Sequence, residues 1–195
     1  MQAYTRISNP WMPNGTPDLT NSPSPFIAPG EVGAAFNDQN TGGSYLRVLL
    51  DSGATSGTVV GAVAAGQLAF WKDRANNIVT NDKNQCDIGP TGAVNRVAGI
   101  FQGAIKTAPG VLDSSGNPTQ YMCDLVIQKK AFSIAVTGTI VAGAVAEADT
   151  TANTARAISA ATVTTAPVSQ VLGVFTSATV TSGTAPCDVN IGFLD

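Results

Sequence analysis

The sequence predicts an all-β chain. Two tandem small domains of β-barrel or β-sandwich type, related by internal duplication, follow an extended Pro-rich N-terminal arm. Three observations predict this. The 195 residues are 44% hydrophobic and only 12% charged, with 20 Gly, and Ala and Val dominate the apolar share. Small β-branched residues among frequent turn formers, without a long helical pattern, read as short strands joined by turns. Near the C-terminus, Cys187, Val189, Ile191 and Phe193 alternate with Asp188, Asn190 and Gly192, the period of a strand with one apolar face. Finally, three blocks of sequence occur twice in the same order, the signature of a repeated unit.

The first block, GAVAAGQLAFWKDRAN from Gly61, aligns with GTIVAGAVAEADTTAN from Gly138 at an offset of 77. The identities are Gly61/Gly138, Ala65/Ala142, Gly66/Gly143, Ala69/Ala146, Ala75/Ala152 and Asn76/Asn153. The second, RVAGIFQGA from Arg96, aligns with QVLGVFTSA at an offset of 74 and shares Val97/Val171, Gly99/Gly173, Phe101/Phe175 and Ala104/Ala178. The third, CDLVI from Cys123, aligns with CDVNI from Cys187 at an offset of 64. The shrinking offset gives the second copy shorter loops. Strand phase is kept, since a one-residue slip would turn the apolar set outward.

In chain order, residues 1–43 form the arm. They hold six of the 11 prolines, and proline restrains both itself and the residue before it, so extended or turning chain without regular structure is expected. The arm also carries large apolar groups, among them Trp11, Met12, Phe26 and Ile27. A solvated linker has no use for them, whereas an arm lying on a neighbouring surface does. The first β domain covers 44–130. It opens with the strand Tyr45–Leu50, has another at Val97–Phe101, and closes with Tyr121–Gln128 after the loop at 106–120. The second covers 131–195. Its segment Ala148–Ala161 is Ala-rich, but its Thr content favours strand or loop over helix.

The chemistry available is narrow. There is no His, which removes the usual general base and the commonest metal ligand. The three Cys, at 86, 123 and 187, lack paired metal-ligand spacing. Their odd number and an N-terminus without an apolar signal core fit free thiols in a reducing compartment. Cys123 and Cys187 read as small buried groups on inward strand faces. Net charge is −3 with no basic run, which argues against a nucleic-acid partner. No apolar run is long enough for a transmembrane helix. No cofactor is expected.

Two short motifs carry functional alternatives. Val48-Leu49-Leu50-Asp51-Ser52-Gly53-Ala54-Thr55 resembles the active-site loop of retroviral-type aspartic proteases. That resemblance implies Asp51 as one carboxylate of a proton-sharing dyad, completed only in a homodimer, because offset 77 from Asp51 lands on Gln128. The other reading is a turn that ends a strand. GTVVGAVAAG has the rhythm of biotinyl or lipoyl domains, but Lys129 and Lys130 fall at the junction of the repeats and not at a hairpin tip.

The wider pattern is Gly-x-(Val/Ile)-x-Ala-Gly-x-(Leu/Val), then a Thr/Ala/Asn segment, then Val-(Ala/Leu)-Gly-(Ile/Val)-Phe and an alternating closing strand. Over residues 57–195, once per repeat, it resembles the lambda-like head decoration (cement) proteins of tailed bacteriophages. The Pro-rich arm is similar too. The resemblance implies a non-enzymatic virion protein on the capsid exterior, assembled in the host cytoplasm and stabilising the shell. Its partner would be the major capsid protein, contacted through Trp11, Met12, Phe26 and Ile27. It implies self-association as trimers at local threefold positions, and the duplication leaves dimers or bridging monomers open. A tail or fibre module is the further alternative.

Overall fold

The computed structural model describes residues 3–6, 32–33, 35–38, 42–51, 63–81, 97–103, 120–149, 153–158, 170–177, 181 and 183–191. Among them the chain is all-β, with eleven strands in one hydrogen-bonded sheet and no helix. The N-terminal strands are β1 (Ala3–Arg6) and β2 (Ala35–Asp38), which pair in parallel. β2 then pairs antiparallel with β3 (Gly43–Asp51).

The remaining strands close into two rings. The first contains β3, β4 (Leu68–Asp73), β5 (Ile78–Thr80), β6 (Val97–Phe101) and the first half of β7 (Gln120–Val136). β3 runs parallel to β5, and the pairs β5–β4, β4–β6, β6–β7 and β7–β3 are antiparallel. The second ring contains the other half of β7, β8 (Val145–Ala148), β9 (Ala155–Ala157), β10 (Val171–Phe175) and β11 (Gly183–Asn190). Here β7 runs parallel to β9, and β9–β8, β8–β10, β10–β11 and β11–β7 are antiparallel. The pairing order is the same in both rings, including the place of the one parallel pair. Closure also removes exposed strand edges from each ring.

Local contacts recur with it. Gly66 and Gly143 both take left-handed backbone angles, φ +82° and +81°, which glycine adopts without a Cβ penalty. Each then donates its N–H to a phenylalanine carbonyl at 2.8 Å, Phe101 and Phe175 respectively. Those phenylalanines donate back at 2.9 Å to Gln67 and Ala144. The turn before β4 or β8 is thereby clipped to the end of β6 or β10.

Leu46, Val48, Leu50, Ala69, Trp71, Phe101, Tyr121, Cys123, Leu125 and Ile127 build the first core. A second cluster joins Ile134, Val136, Leu172, Phe175, Cys187, Val189 and Ile191 to Tyr45, Leu68, Phe70, Val97, Ile100 and Val126. The latter six come from the strands of the first ring, on the face opposite its core. Successive side chains alternate across a strand, so Ala69 and Trp71 point inward while Leu68 and Phe70 point out beneath the second ring. Each large side chain buried this way contributes roughly 1.5–3 kcal/mol.

The single strand β7 serves both rings and runs through the expected 130/131 boundary. There Ala131 takes φ +48°, and β7 carries one residue more than β11 between the Cys187↔Phe132 and Val189↔Lys129 pairs. This is a β-bulge, which bends the strand from one ring into the next. The Asp188 carboxylate accepts the Ala131 N–H at 2.8 Å and holds the bend.

Several sequence expectations need adjustment. The sequence predicts an arm without regular structure, yet 3–6 and 35–38 are strands, because extended backbone of β2 beside β3, and of β1 beside β2, satisfies its N–H and C=O groups by joining the sheet. The strand expected at 121–128 extends to Val136, and the one expected at 187–193 spans 183–190. Ala148–Ala161 contains the end of β8 and all of β9, as its Thr content suggested.

Candidate functional site

Of the predicted contact residues, Trp11, Met12, Phe26 and Ile27 lie outside the described residues. Asp51 ends β3, and its Oδ2 accepts a 2.7 Å charge-assisted bond from Lys72 Nζ on β4. An aspartic dyad instead needs a second carboxylate facing the first. The rest of that motif, 52–55, is outside the described residues. Lys129 and Lys130 sit inside β7, at its bend, and not on a hairpin tip.

The described carboxylates tie backbone segments together. Asp124 on β7 binds Arg47 on β3, its direct cross-strand partner. Glu147 on β8 accepts from Arg156 Nε on β9 at 2.8 Å, again between register partners. Asp73 accepts from the backbone and side chain of Asn76 at 3.2 and 2.7 Å, closing the β4–β5 turn. The side-chain bond from Asn76, with its backbone bond, lowers the Asp73 pKa from 3.8. Cys123 and Cys187 are free and fully buried. Burial, then the charge of Asp124, pushes the Cys123 thiol well above its ordinary 9.0, and burial with Asp188 pushes Cys187 up to about 12. A thiol held protonated is a poor nucleophile and a poor metal ligand.

A groove of about 490 Å³ opens at the bend of β7, lined by Asn37, Ser44, Gln128, Lys129, Lys130 and Asn190 among others. Lys129 Nζ donates to the Tyr45 hydroxyl at 3.2 Å. It lies 5.8 and 5.6 Å from the ring centroids of Tyr45 and Phe132, within cation–π range. Lysine at this junction thus packs against the sheet.

The two rings differ in what covers one face. In the first, the register pairs Leu68↔Ile100 and Phe70↔Val97 face outward from β4 and β6, and all four are at most 2% exposed. The second ring lies over them. Leu68 N–H donates to Asn153 C=O at 3.0 Å, and Ala135 N–H to Gly66 C=O at 2.9 Å. The Gln170 side chain pairs with both backbone groups of Val97 at 2.8 and 3.1 Å. In the second ring the pairs at the same register are Val145↔Val174 and Glu147↔Val171. There Val145, Val174 and Val171 are 36, 42 and 44% exposed.

Sequence reasoning passed over these valines and the Arg47–Asp124 pair. The offsets of 77 and 74 already set Leu68 against Val145 and Ile100 against Val174. What the offsets lack is which copy is covered. No family model matches the sequence, and no curated protein matches it either.

Proposed function

We propose that this chain is a non-enzymatic virion structural protein that binds the outer surface of an assembled capsid, through its major capsid protein, and stabilises it. The observation that supports this best is the use of charge in the described residues. Arg47–Asp124, Lys72–Asp51 and Arg156–Glu147 each join two strands of a ring, so ionisable groups serve the scaffold. Two rings built on one strand form a bridging body of the kind a cement protein needs. The glycine pattern, which resembles that of head decoration proteins, points to the capsid, and Trp11, Met12, Phe26 and Ile27 are the proposed shell contacts.

The test is to mix purified protein with mature shells of the virus that encodes it. Saturable co-sedimentation, density on the shell exterior in electron micrographs, and a raised shell-melting temperature are expected. Substituting Trp11→Ala with Phe26→Ala should lower occupancy while leaving the β rings folded. Density confined to a tail or fibre, or no binding to any particle, would overturn the reading.

A further inference from the structure

We infer that the outer face of β8 and β10, centred on Val145, Val171 and Val174, docks a second copy of this chain, valine face on valine face about a two-fold axis. The inference does not depend on what shell, if any, the protein binds. It rests on the equivalence of the two rings. Leu68, Ile100, Phe70 and Val97 occupy in β4 and β6 the register positions that Val145, Val174, Glu147 and Val171 occupy in β8 and β10. The first set is buried under a β ring of this chain's own fold. The second set keeps valine at three of its four positions, each 36–44% exposed in the single chain, while the fourth, Glu147, is 4% exposed. On the neighbouring β11 the exposed positions Asp188 and Asn190 are polar. Scattered exposed apolar residues are ordinary on protein surfaces, whereas contiguous ones mark contact sites. The molecule itself shows what fits this face: another ring of its own kind.

The fourth position supports pairing of like with like. Glu147 stands where the first ring has Phe70, and Arg156 neutralises it at 2.8 Å. The face therefore carries a closed ion pair and no net charge, so two copies meet without like-charge repulsion. The two-fold arrangement follows from what else is free. Repeating the in-chain contact between chains would bring in the rim of another copy's first ring, where Asn76 and Asn77 correspond to Asn153 and Thr154. Part of that rim is already taken: a Cβ at Gly33 would lie 2.6 Å from the Asn77 side chain, while Asn76 beside it stays exposed. Gly33 is anchored there by its N–H to Arg47 C=O at 2.7 Å. Face-on-face pairing uses one patch twice and closes. Three valines make a small contact area, so association belongs at the weak end of dimer interfaces, about 10–100 µM.

Sedimentation velocity and light scattering of the full chain across that range test it. The expected result is a mass rising with concentration from one chain toward two, with Val171→Lys/Val174→Lys remaining at one chain. Val145→Thr/Val174→Thr, nearly isosteric, should weaken the dimer several-fold, and it decides the matter if the lysine variant loses its native circular dichroism. A wild type that stays at one chain throughout would overturn the inference, as would valine variants that dimerise like the wild type. Monomeric wild type whose valine variants lose only shell binding would assign the face to the shell, and that also overturns it.

Discussion

Arg47 grips Asp124 with two bonds across the β3–β7 pair, Nε to Oδ1 at 2.7 Å and Nη2 to Oδ2 at 2.8 Å, with both side chains fully buried. Bidentate geometry makes the most of a pair withdrawn from water. Burying two charges costs about what their attraction returns, so the pair fixes register more than it adds stability. Removing one partner is different, because the other charge stays in the interior. Asp124→Ala is expected to lose about 3–5 kcal/mol in urea denaturation, and Arg47→Met/Asp124→Leu to recover more than half of that. A double variant as unstable as the single one would show that the pair itself stabilises the fold.

Gly173 faces the closing strand at a distance no side chain tolerates. A Cβ there would lie 2.1 Å from the Asp188 carbonyl oxygen. At Gly99, its counterpart in β6, a Cβ would meet Leu125 Cβ at 2.6 Å and the Val126 carbonyl oxygen at 3.0 Å. Backbone must move at Gly173, whereas at Gly99 part of the clash is with a side chain. Gly173→Ala is expected to cost about 3 kcal/mol or more, from overpacking together with an unfavourable φ of +152°. Gly99→Ala should cost less, and thermal unfolding of the two variants ranks them.

The buried thiols give the stability a dependence on alkaline pH. Burial raises Cys187 from 9.0 to about 12 and raises Cys123 well above 9.0. Their folded pKa values exceed the unfolded ones, so the full contribution is present below pH 9 and is lost as pH rises toward 12. By pH 10 each unfolded thiolate should favour unfolding by about 1 kcal/mol. Denaturant midpoints between pH 7 and 10 should fall more steeply for the native protein than for Cys123→Val/Cys187→Val. Equal slopes would mean that these thiols already ionise in the folded state.

The sequence made the strand content and much of the core legible because both depend on local pattern. Cys187, Val189 and Ile191 are buried and Asp188 and Asn190 exposed, as period two requires. Cys123, Leu125 and Ile127 lie together in the first core. That logic runs out at Asp124 and Val126. Alternation puts them on the outward face, yet both are buried, since Asp124 meets Arg47 and Val126 joins the core shared with the second ring. Burial by another ring leaves no local trace. Nor does the length of β7 beyond Gln128, where Lys129 and Lys130 read as the junction of the repeats. Their side chains border a groove while the backbone continues the ladder to Val136.

Gln170 couples the rings through backbone mimicry. Its side-chain oxygen accepts the Val97 N–H at 2.8 Å, and its amide nitrogen donates to the Val97 carbonyl at 3.1 Å. It thus supplies both halves of a strand's hydrogen bonding at the end of β6. Val97 is 2% exposed, so without that amide its backbone groups need water that the packed face excludes. Gln170→Ala should cost about 1–3 kcal/mol and speed hydrogen exchange at the Val97 amide, while leaving amides deep in the first ring, such as Leu125, unchanged. Gln170→Glu keeps the acceptor and loses the donor, so the Val97 N–H should stay protected in it. Uniform loss of protection across both rings in either variant would place Gln170 in the global fold and not at this contact.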